Sequence, residues 1–350
     1  MKLKSGSRKT AIILGAGATR GAIGHVVLNR KRLKPPLNAD FFKVAATYAR
    51  AKGGSASRQV QRLHRIFKTE LPLGRQLSLE DAFSSLYVAK DFPEVFNSRP
   101  GPKPGAGESS EIDDFLSLLF GVLHELDRQS SATGYDDLVS ALEDGDSILT
   151  LNYDTCLDPA LHRAGWDPKT GYGLTGGHSK CKWTRRGTPS RDQLSNVKLL
   201  KLHGSLNWWV RSPGHKIPDV FSKKPALVTP PRGNEVGGHL RQIVPPIHGK
   251  FFTHRHWRHL WQSAFNALGS AERLVVIGCS IVETDFHLHA FLRRVAQRRK
   301  TSAPFREIVL VGKKKTRSRW KRVLRGAGPS SRYDNRFTTF EGFVNKGLKT

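Results

Sequence analysis

Cysteine is scarce in this chain of 350 residues: Cys156, Cys181 and Cys279 are its three, and they lie far apart. Such spacing makes no disulfide framework and no paired metal-binding knuckle, so a packed core has to hold the fold. Long apolar runs are missing too. No stretch approaches the about 20 residues that cross a bilayer as a helix. The start, MKLKSGSRKT, is basic but leads into AIILGAG, without a signal-peptide core or cleavage site. Together these absences predict a cytoplasmic protein with no membrane association. Acids are the third shortage: 29 Asp and Glu stand against 58 Lys and Arg, a net charge of +29. The excess raises nucleic acid, or another acidic partner, as an associate. The bland reading is a solvated basic surface, because the charge is spread along the chain.

What is present is an alternation. Ala11–Leu14, SILTL from Ser147, VKLLKLHG, RLVVIGCS and EIVLVGKK are short apolar runs ending in glycine or small polar residues. Helical stretches such as HRHWRHLWQSAFNALGSA lie between some of them, which predicts a parallel α/β sheet. Ala22–Asn29 reads as a helix broken by KRLKPPLN. Helical spacing then runs from Phe41 to about Lys90, through EIDDFLSLLFGVLHELDR with its acidic first turn, and through YDDLVSALEDG up to Gly145. Ser98–Ser110, rich in Pro, Gly and Ser, reads as a surface loop. The expected fold class is α/β: a Rossmann-like parallel sheet with helices on both faces and a helical insertion after the first βα unit. One domain would span 1–350, with its core in 10–34 and 145–345 and the insertion at about 38–140.

Ser147–Leu161, SILTLNYDTCLDPAL, carries a strand that stops on Asn152-Tyr153-Asp154. An amide and a carboxylate just past a strand's carboxyl end sit where open parallel sheets hold ligands. Capping of the next helix is the bland alternative. GAGATRG sets Gly15, Gly17 and Gly21 between a strand and a helix, where glycines let the backbone approach a pyrophosphate and the helix start offers donors. The spacing is one residue longer than the ordinary dinucleotide fingerprint, and no acid follows at the end of a second strand. A tight strand-to-helix turn is therefore the competing account. LLKLHGSLNWW ends another strand on His203 and Gly204, and VVIGCSIVETDFH ends a third on Gly278, Cys279 and Ser280, with Asp285 soon after. Strands ending this way would converge on one crevice. His254, His256, His259, His287 and His289 are dense but match no known metal-ligand spacing. Trp208, Trp209, Trp257 and Trp261 read as packing.

Taken in order, Gly-Ala-Gly-x-Thr, Asn-x-Asp, His-Gly and Gly-x-Ser resemble the sirtuin-like NAD-consuming domains, from Ala11 to about Phe343. The segment RLVVIGCSIVETDFHLHAFLRR resembles the bacterial branch that degrades NAD in anti-phage defence. Protein-deacylating sirtuins carry Ile-Pro-Asp-Phe-Arg after the glycine motif, Gln before the Asn, and a four-cysteine zinc module. Here those places hold GAIGHVV, Leu151 and no cysteine pair. The resemblance thus implies cleavage of NAD to nicotinamide and ADP-ribose with water as acceptor, and no zinc. It assigns Asn152, His203 and Asp154 to catalysis, and Gly15, Ala16, Gly17, Thr19, Gly278, Ser280 and Asp285 to NAD binding.

Loss of nicotinamide passes through an oxocarbenium-like state, as in glycoside cleavage. Asn152 suits a ribose hydroxyl or the attacking water, Asp154 adds negative potential beside the cation, and His203 suits a general base. The resemblance further implies an abortive-infection effector gated by homo-oligomerisation or by a partner protein, such as a hexameric ATPase/translocase or a nuclease-like sensor. Nucleic acid would meet the basic runs GKKKTRSRWKRVLR and RRVAQRRK. A non-catalytic NAD or ADP-ribose sensor, an NAD-dependent protein deacylase and a nucleic-acid-associated module remain the alternatives.

Overall fold

Each run read as a strand is buried on both sides: Ile12, Ile13 and Leu14; Ile148 and Leu149; Leu199 and Leu200; Leu274 to Ile277; Ile308 to Val311. Continuous apolar strands of this kind belong to parallel sheets covered on both faces. The computed structural model of the chain describes residues 9–69, 77–92, 111–129, 133–174, 181–182, 194–211, 218–221, 235–236, 239–245, 247, 255–282, 285–301, 304–326 and 331–347. Its main sheet joins β1 (Thr10–Leu14), β4 (Ser147–Thr150), β6 (Lys198–Lys201), β11 (Arg273–Ile277), β12 (Glu307–Val311) and β13 (Arg332–Asp334). The order is β13-β12-β11-β1-β4-β6, and every neighbouring pair is parallel. From β1 the chain steps outward to β4 and β6, then crosses back to β11 on the other side of β1. The reversal between β1 and β11 is the switch point at which such sheets open a crevice past their carboxyl ends.

Helices cover both faces, as expected. On one, α1 (Ala16–Ile23) touches α6 (Thr133–Ser140) and α12 (Phe340–Gly347), and α6 also meets α7 (Asp158–Arg163). On the other, α9 (Arg255–Ser270), α10 (Phe286–Thr301) and α11 (Lys314–Val323) pack in series. The short α8 (Pro168–Gly171) lies against β6. The insertion consists of α2 (Phe41–Lys52), α3 (Gly54–Thr69), α4 (Leu79–Asp91) and α5 (Glu111–Gln129). It buries its own apolar cluster around Phe41, Phe83 and Phe115. No helix among the described residues is long and apolar enough to cross a membrane.

Two elements depart from expectation. The helix expected over Ala22–Asn29 ends at Ile23, where Gly24 takes φ +67°, and the chain becomes a hairpin of β2 (Val26–Leu28) and β3 (Lys31–Leu33). Asn29 and Arg30 both have positive φ, the geometry of a two-residue hairpin turn whose twist matches the strands. Val26 and Leu33 join the insertion's core, not that of the main sheet. A second sheet also appears, in the order β5-β8-β7-β10-β9, from β5 (Cys181–Lys182), β7 (Gly204–Arg211), β8 (Asp219–Phe221), β9 (Glu235–Val236) and β10 (His239–Ile243). Trp208 and Trp209 are buried within it. The expected loop at Ser98–Ser110 and His254 lie outside the described residues.

Candidate functional site

Four strand ends meet above the sheet. β1 delivers Gly15 and the start of α1, β4 delivers Asn152 and Asp154, β6 delivers His203, and β11 delivers Gly278, Cys279 and Ser280. They line one crevice of about 650 Å³. All ten residues singled out from the sequence line it: Asn152, Asp154, His203, Gly15, Ala16, Gly17, Thr19, Gly278, Ser280 and Asp285. The histidine-dense helix segments do not take part. Arg20 and Glu80, which sequence reasoning passed over, also line it, as do Lys313 and Arg319 of the basic run.

The glycines have a packing reason for their identity. Gly17 N donates to Gly278 O at 2.9 Å and Gly15 N to Ile277 O at 3.1 Å, so the two strand-end turns touch backbone to backbone. Gly278 takes φ +57°, and a Cβ there would stand 2.3 Å from Ala18 N. A Cβ on Gly17 would stand 2.8 Å from Gly278 O. The start of α1 has no side-chain cap and no acid in its first turn, leaving its positive dipole end to the crevice. Gly204 is needed for a different contact: at φ +87° it turns the chain from β6 into β7, and a Cβ would meet Gln242 O at 2.2 Å. That turn holds His203 at the junction of the two sheets, with His203 O accepting from Val244 N at 2.8 Å.

Thr19 is the hub between the glycine turn and the Asn152–Asp154 loop. Its hydroxyl donates to Asp154 Oδ2 at 3.1 Å, accepts from Asn152 Nδ2 at 3.0 Å, and lies 2.8 Å from Tyr135 Oη. A hydroxyl has one donor and two acceptor sites. With Asp154 taking the proton, Tyr135 has to donate, and all three sites are filled. Burial holds the Tyr135 phenol well above its ordinary pKa, so it keeps the proton it donates. Thr19, expected among the ligand-binding residues, thus spends its hydroxyl on fixing Asn152 and Asp154.

Below this loop lies a buried polar network. Lys201, 1% exposed, donates Nζ to the Asp154 carbonyl and stands 3.6 Å from Asp158 Oδ2. Tyr172 Oη donates to Asp158 Oδ1 and accepts from Asn207 Nδ2. Asp127, at the end of α5, accepts from Thr155 N at 3.1 Å, Thr155 Oγ1 at 2.8 Å and Cys156 Sγ at 3.0 Å. Burial and the Asp154 carboxylate push the Asp127 carboxyl up to about 7. Ligand atoms of Asp127, Asp154 and Cys156 fall within 4.8 Å of one another, the one such cluster among the described residues. Their closeness is accounted for by hydrogen bonds, since Cys156 Sγ donates to Asp127 and Cys156 N to Asp154 Oδ1. Lys201 left a signal in the sequence, a cation inside an apolar strand; Asp127 left none.

Asp285 was expected to face the ligand. It sits beside His203, with Oδ2 at 3.5 Å from His203 Nε2, both side chains buried, while its Oδ1 caps α10 by accepting from Leu288 N at 3.1 Å. Burial pushes the Cys279 thiol up to about 12, so it stays protonated near neutrality and is no nucleophile. Trp320, on α11, fixes this strand end by donating Nε1 to Cys279 O at 2.6 Å. The basic run that α11 carries is therefore only partly surface: Arg317 and Arg319 bond backbone carbonyls, whereas Lys314, Lys315 and Arg322 are exposed. In the second run, Arg299 is buried over Phe305 and donates to Gly269 O.

A family model described as a SIR2-like domain matches residues 146–325. No curated protein matches the sequence. Among solved structures, a Sir2 homologue mutant in complex with 2′-O-acetyl ADP ribose is similar over 98% of this chain and 91% of its own, at 11% identity and a TM-score of 0.46. A Sir2 homolog–NAD complex is similar over 98% and 89%, at 11% identity and a TM-score of 0.44.

Proposed function

Because the chain belongs to the SIR2-like domain family, whose model spans more than half of it, we propose that it hydrolyses NAD to nicotinamide and ADP-ribose. One observation carries this reading: Asn152 and His203 leave adjacent parallel strands into the same crevice as the glycine turn at the β1–β11 switch point. NAD would lie across the strand ends. Its pyrophosphate falls at the start of α1, its nicotinamide ribose at β4 and β6, and its adenosine toward β12, where Lys313 and Thr316 line the crevice.

The chemistry follows from what stands at the β4–β6 end. Cleavage of the glycosidic bond leaves positive charge on the ribose, and the Asp154 carboxylate, held by Thr19 and by Cys156 N, supplies opposite potential without reorganising. Asn152, held through its Nδ2, turns its amide oxygen to a ribose hydroxyl or to the water. His203 takes the water's proton as bond formation proceeds, and Asp285 at 3.5 Å orients the ring and stabilises the imidazolium. Water is the acceptor.

An enzyme that drains NAD has to be restrained, and we place it as an abortive-infection effector restrained by self-assembly or by a partner protein. The defence-branch resemblance of Arg273–Arg294 supports this role. The test is incubation of purified protein with NAD and chromatographic separation of products. Wild type yields nicotinamide and ADP-ribose; Asn152→Ala and His203→Ala each lower turnover by about 10²–10⁴-fold while remaining folded. Binding of NAD without consumption by an assembled, partner-loaded sample would replace the hydrolase by a sensor.

A further inference from the structure

The catalytic loop proposed above is held by α1, by Lys201 of β6, by Leu206 of β7, whose N donates to Tyr153 O at 2.9 Å, and by the insertion. Thr19 reaches it from α1. From below it is reached by Asp127, a residue of the insertion. Asp127 lies in the last turn of α5, whose Leu126 belongs to the insertion's apolar cluster and whose Glu125 is bridged to Lys52 at 2.9 Å and to Arg128. α5 is thus fixed to α2, and the position of Asp127 follows the insertion. Both Asp127 oxygens lie within reach of Thr155 N, at 3.1 and 3.2 Å, while Thr155 Oγ1 and Cys156 Sγ donate to the same carboxylate. These two residues directly follow Asp154, and Cys156 N in turn donates to Asp154 Oδ1. The chain of contacts runs insertion, Asp127, Thr155–Cys156, Asp154, Thr19, Asn152.

We propose that Asp127 is a positioning residue for the reaction, setting the Asn152–Asp154 loop through Thr155 and Cys156 and thereby making turnover answer to the insertion. The inference rests on the NAD-hydrolase reading. It gives the insertion a task beyond its own packing: anything that shifts α5 shifts the loop.

The groups around Asp127 decide the form in which it acts. Asp154 and Cys156 face it from the loop, Lys201 from β6 and Arg241 from β10, where Arg241 is stacked between Phe120 and Trp209. Every described partner of the carboxylate is a donor, and the Thr155 hydroxyl can rotate to accept from a protonated oxygen. Burial and the Asp154 carboxylate push the carboxyl up to about 7, so by linkage the docked arrangement favours the protonated form and its hold on the loop weakens as pH rises through that value.

The experiment compares the full-length wild type with Asp127→Ala, Asp127→Asn, Thr155→Val and Asn152→Ala, measuring NAD turnover across pH and NAD affinity separately. In Asp127→Ala we expect kcat to fall about 10²-fold, the cost of about 1 Å of misplacement, with NAD affinity nearly kept. Asp127→Asn, which still offers an acceptor to Thr155 N and carries no charge, recovers part of the loss and lacks the decline of kcat that the wild type shows above neutral pH. Thr155→Val loses less than Asp127→Ala and in the same direction. If wild type turns over, Asn152→Ala does not, and Asp127→Ala keeps both rate and pH profile, the inference falls and the hydrolase reading stands. A loss that Asn does not rescue, with weakened NAD affinity or altered unfolding, makes Asp127 merely structural and also overturns it. If wild type leaves NAD intact, the hydrolase reading falls and takes the inference with it.

Discussion

Replacing Thr19 by Val tests the hub directly. The substitution keeps the β-branched shape and exchanges one hydroxyl for a methyl, so the cost is almost wholly the loss of three hydrogen bonds, to Tyr135, Asn152 and Asp154. The three partners do not suffer equally. Asn152 and Asp154 are half-buried and line the crevice, so water can replace the lost contact; each then costs about 0.5–1 kcal/mol, the net worth of an ordinary hydrogen bond. Tyr135 is 1% exposed and has no such recourse. A buried hydroxyl left unsatisfied costs about 1–3 kcal/mol. The expected loss is therefore about 2–5 kcal/mol, a large part of the roughly 5–15 kcal/mol that a domain has.

Thr19→Ser is the control: it keeps the hydroxyl and removes one methyl, at about 1 kcal/mol. Urea denaturation of the two variants against wild type separates them, with equal m-values required for the comparison. If Val is no less stable than Ser, the hydroxyl joins nothing of consequence and the hub does not exist. If the double variant Thr19→Val, Tyr135→Phe is more stable than Thr19→Val alone, the unsatisfied phenol is the main cost, as the burial figures require.

Two further outcomes are expected. Gly278→Ala meets both a positive φ and a Cβ within 2.3 Å of Ala18 N, whereas Gly24→Ala has a similar φ and open space around it; the first should cost well over the roughly 1–2 kcal/mol of the second, and equal shifts in Tm would refute the close approach. The exposed cations Lys314, Lys315 and Arg322, which line a shallow groove on α11, should contact duplex DNA, and changing all three to Glu should flatten the plot of log affinity against log salt by about 2.7, the slope of three phosphate contacts; an unchanged slope in a mobility-shift titration assigns that face to solvation.

How far the site could be read from sequence depended on whether its determinants were local. A buried strand that ends abruptly on polar residues is a local signal. Because β1, β4, β6 and β11 are all parallel, their ends necessarily point the same way, which is why the sequence pattern alone brings Asn152, His203 and Gly278 to one edge. The determinants of the second kind were invisible because they join distant positions. Thr19 meets Tyr135 across 116 residues and Asp154 across 135, and nothing in GAGATRG distinguishes a threonine that binds a ligand from one that ties two loops together. Asp127 sits among helix residues whose acids are otherwise solvent-facing or paired. The hairpin at 26–33 was missed for a third reason: Asn29 and Arg30 adopt positive φ without the glycine that usually announces such a turn.

The glycine motif shows why a correct location does not by itself fix a cause. Glycines after a first strand were read as making room for a pyrophosphate. In the structure the room at Gly15 and Gly17 is taken by the β11 turn, and two donors of the helix start are already engaged, Gly17 N by Gly278 O and Ala18 N by Gly15 O. The two readings are not rivals, because the helix dipole and the uncapped start remain available to an anion whichever neighbour forces the glycines. They do differ in what a mutation reports. Adding a Cβ at Gly17 or Gly278 damages the contact between β1 and β11, so a loss of NAD binding there would follow from lost packing as readily as from a lost phosphate contact. Binding and packing separate only at positions whose side chains face the crevice without supporting the turn, and Lys313, exposed at the rim beside β12, is such a position. A weaker affinity for NAD in Lys313→Ala at unchanged Tm would locate the adenosine end of the ligand beside β12; an unchanged affinity would put that end elsewhere in the crevice.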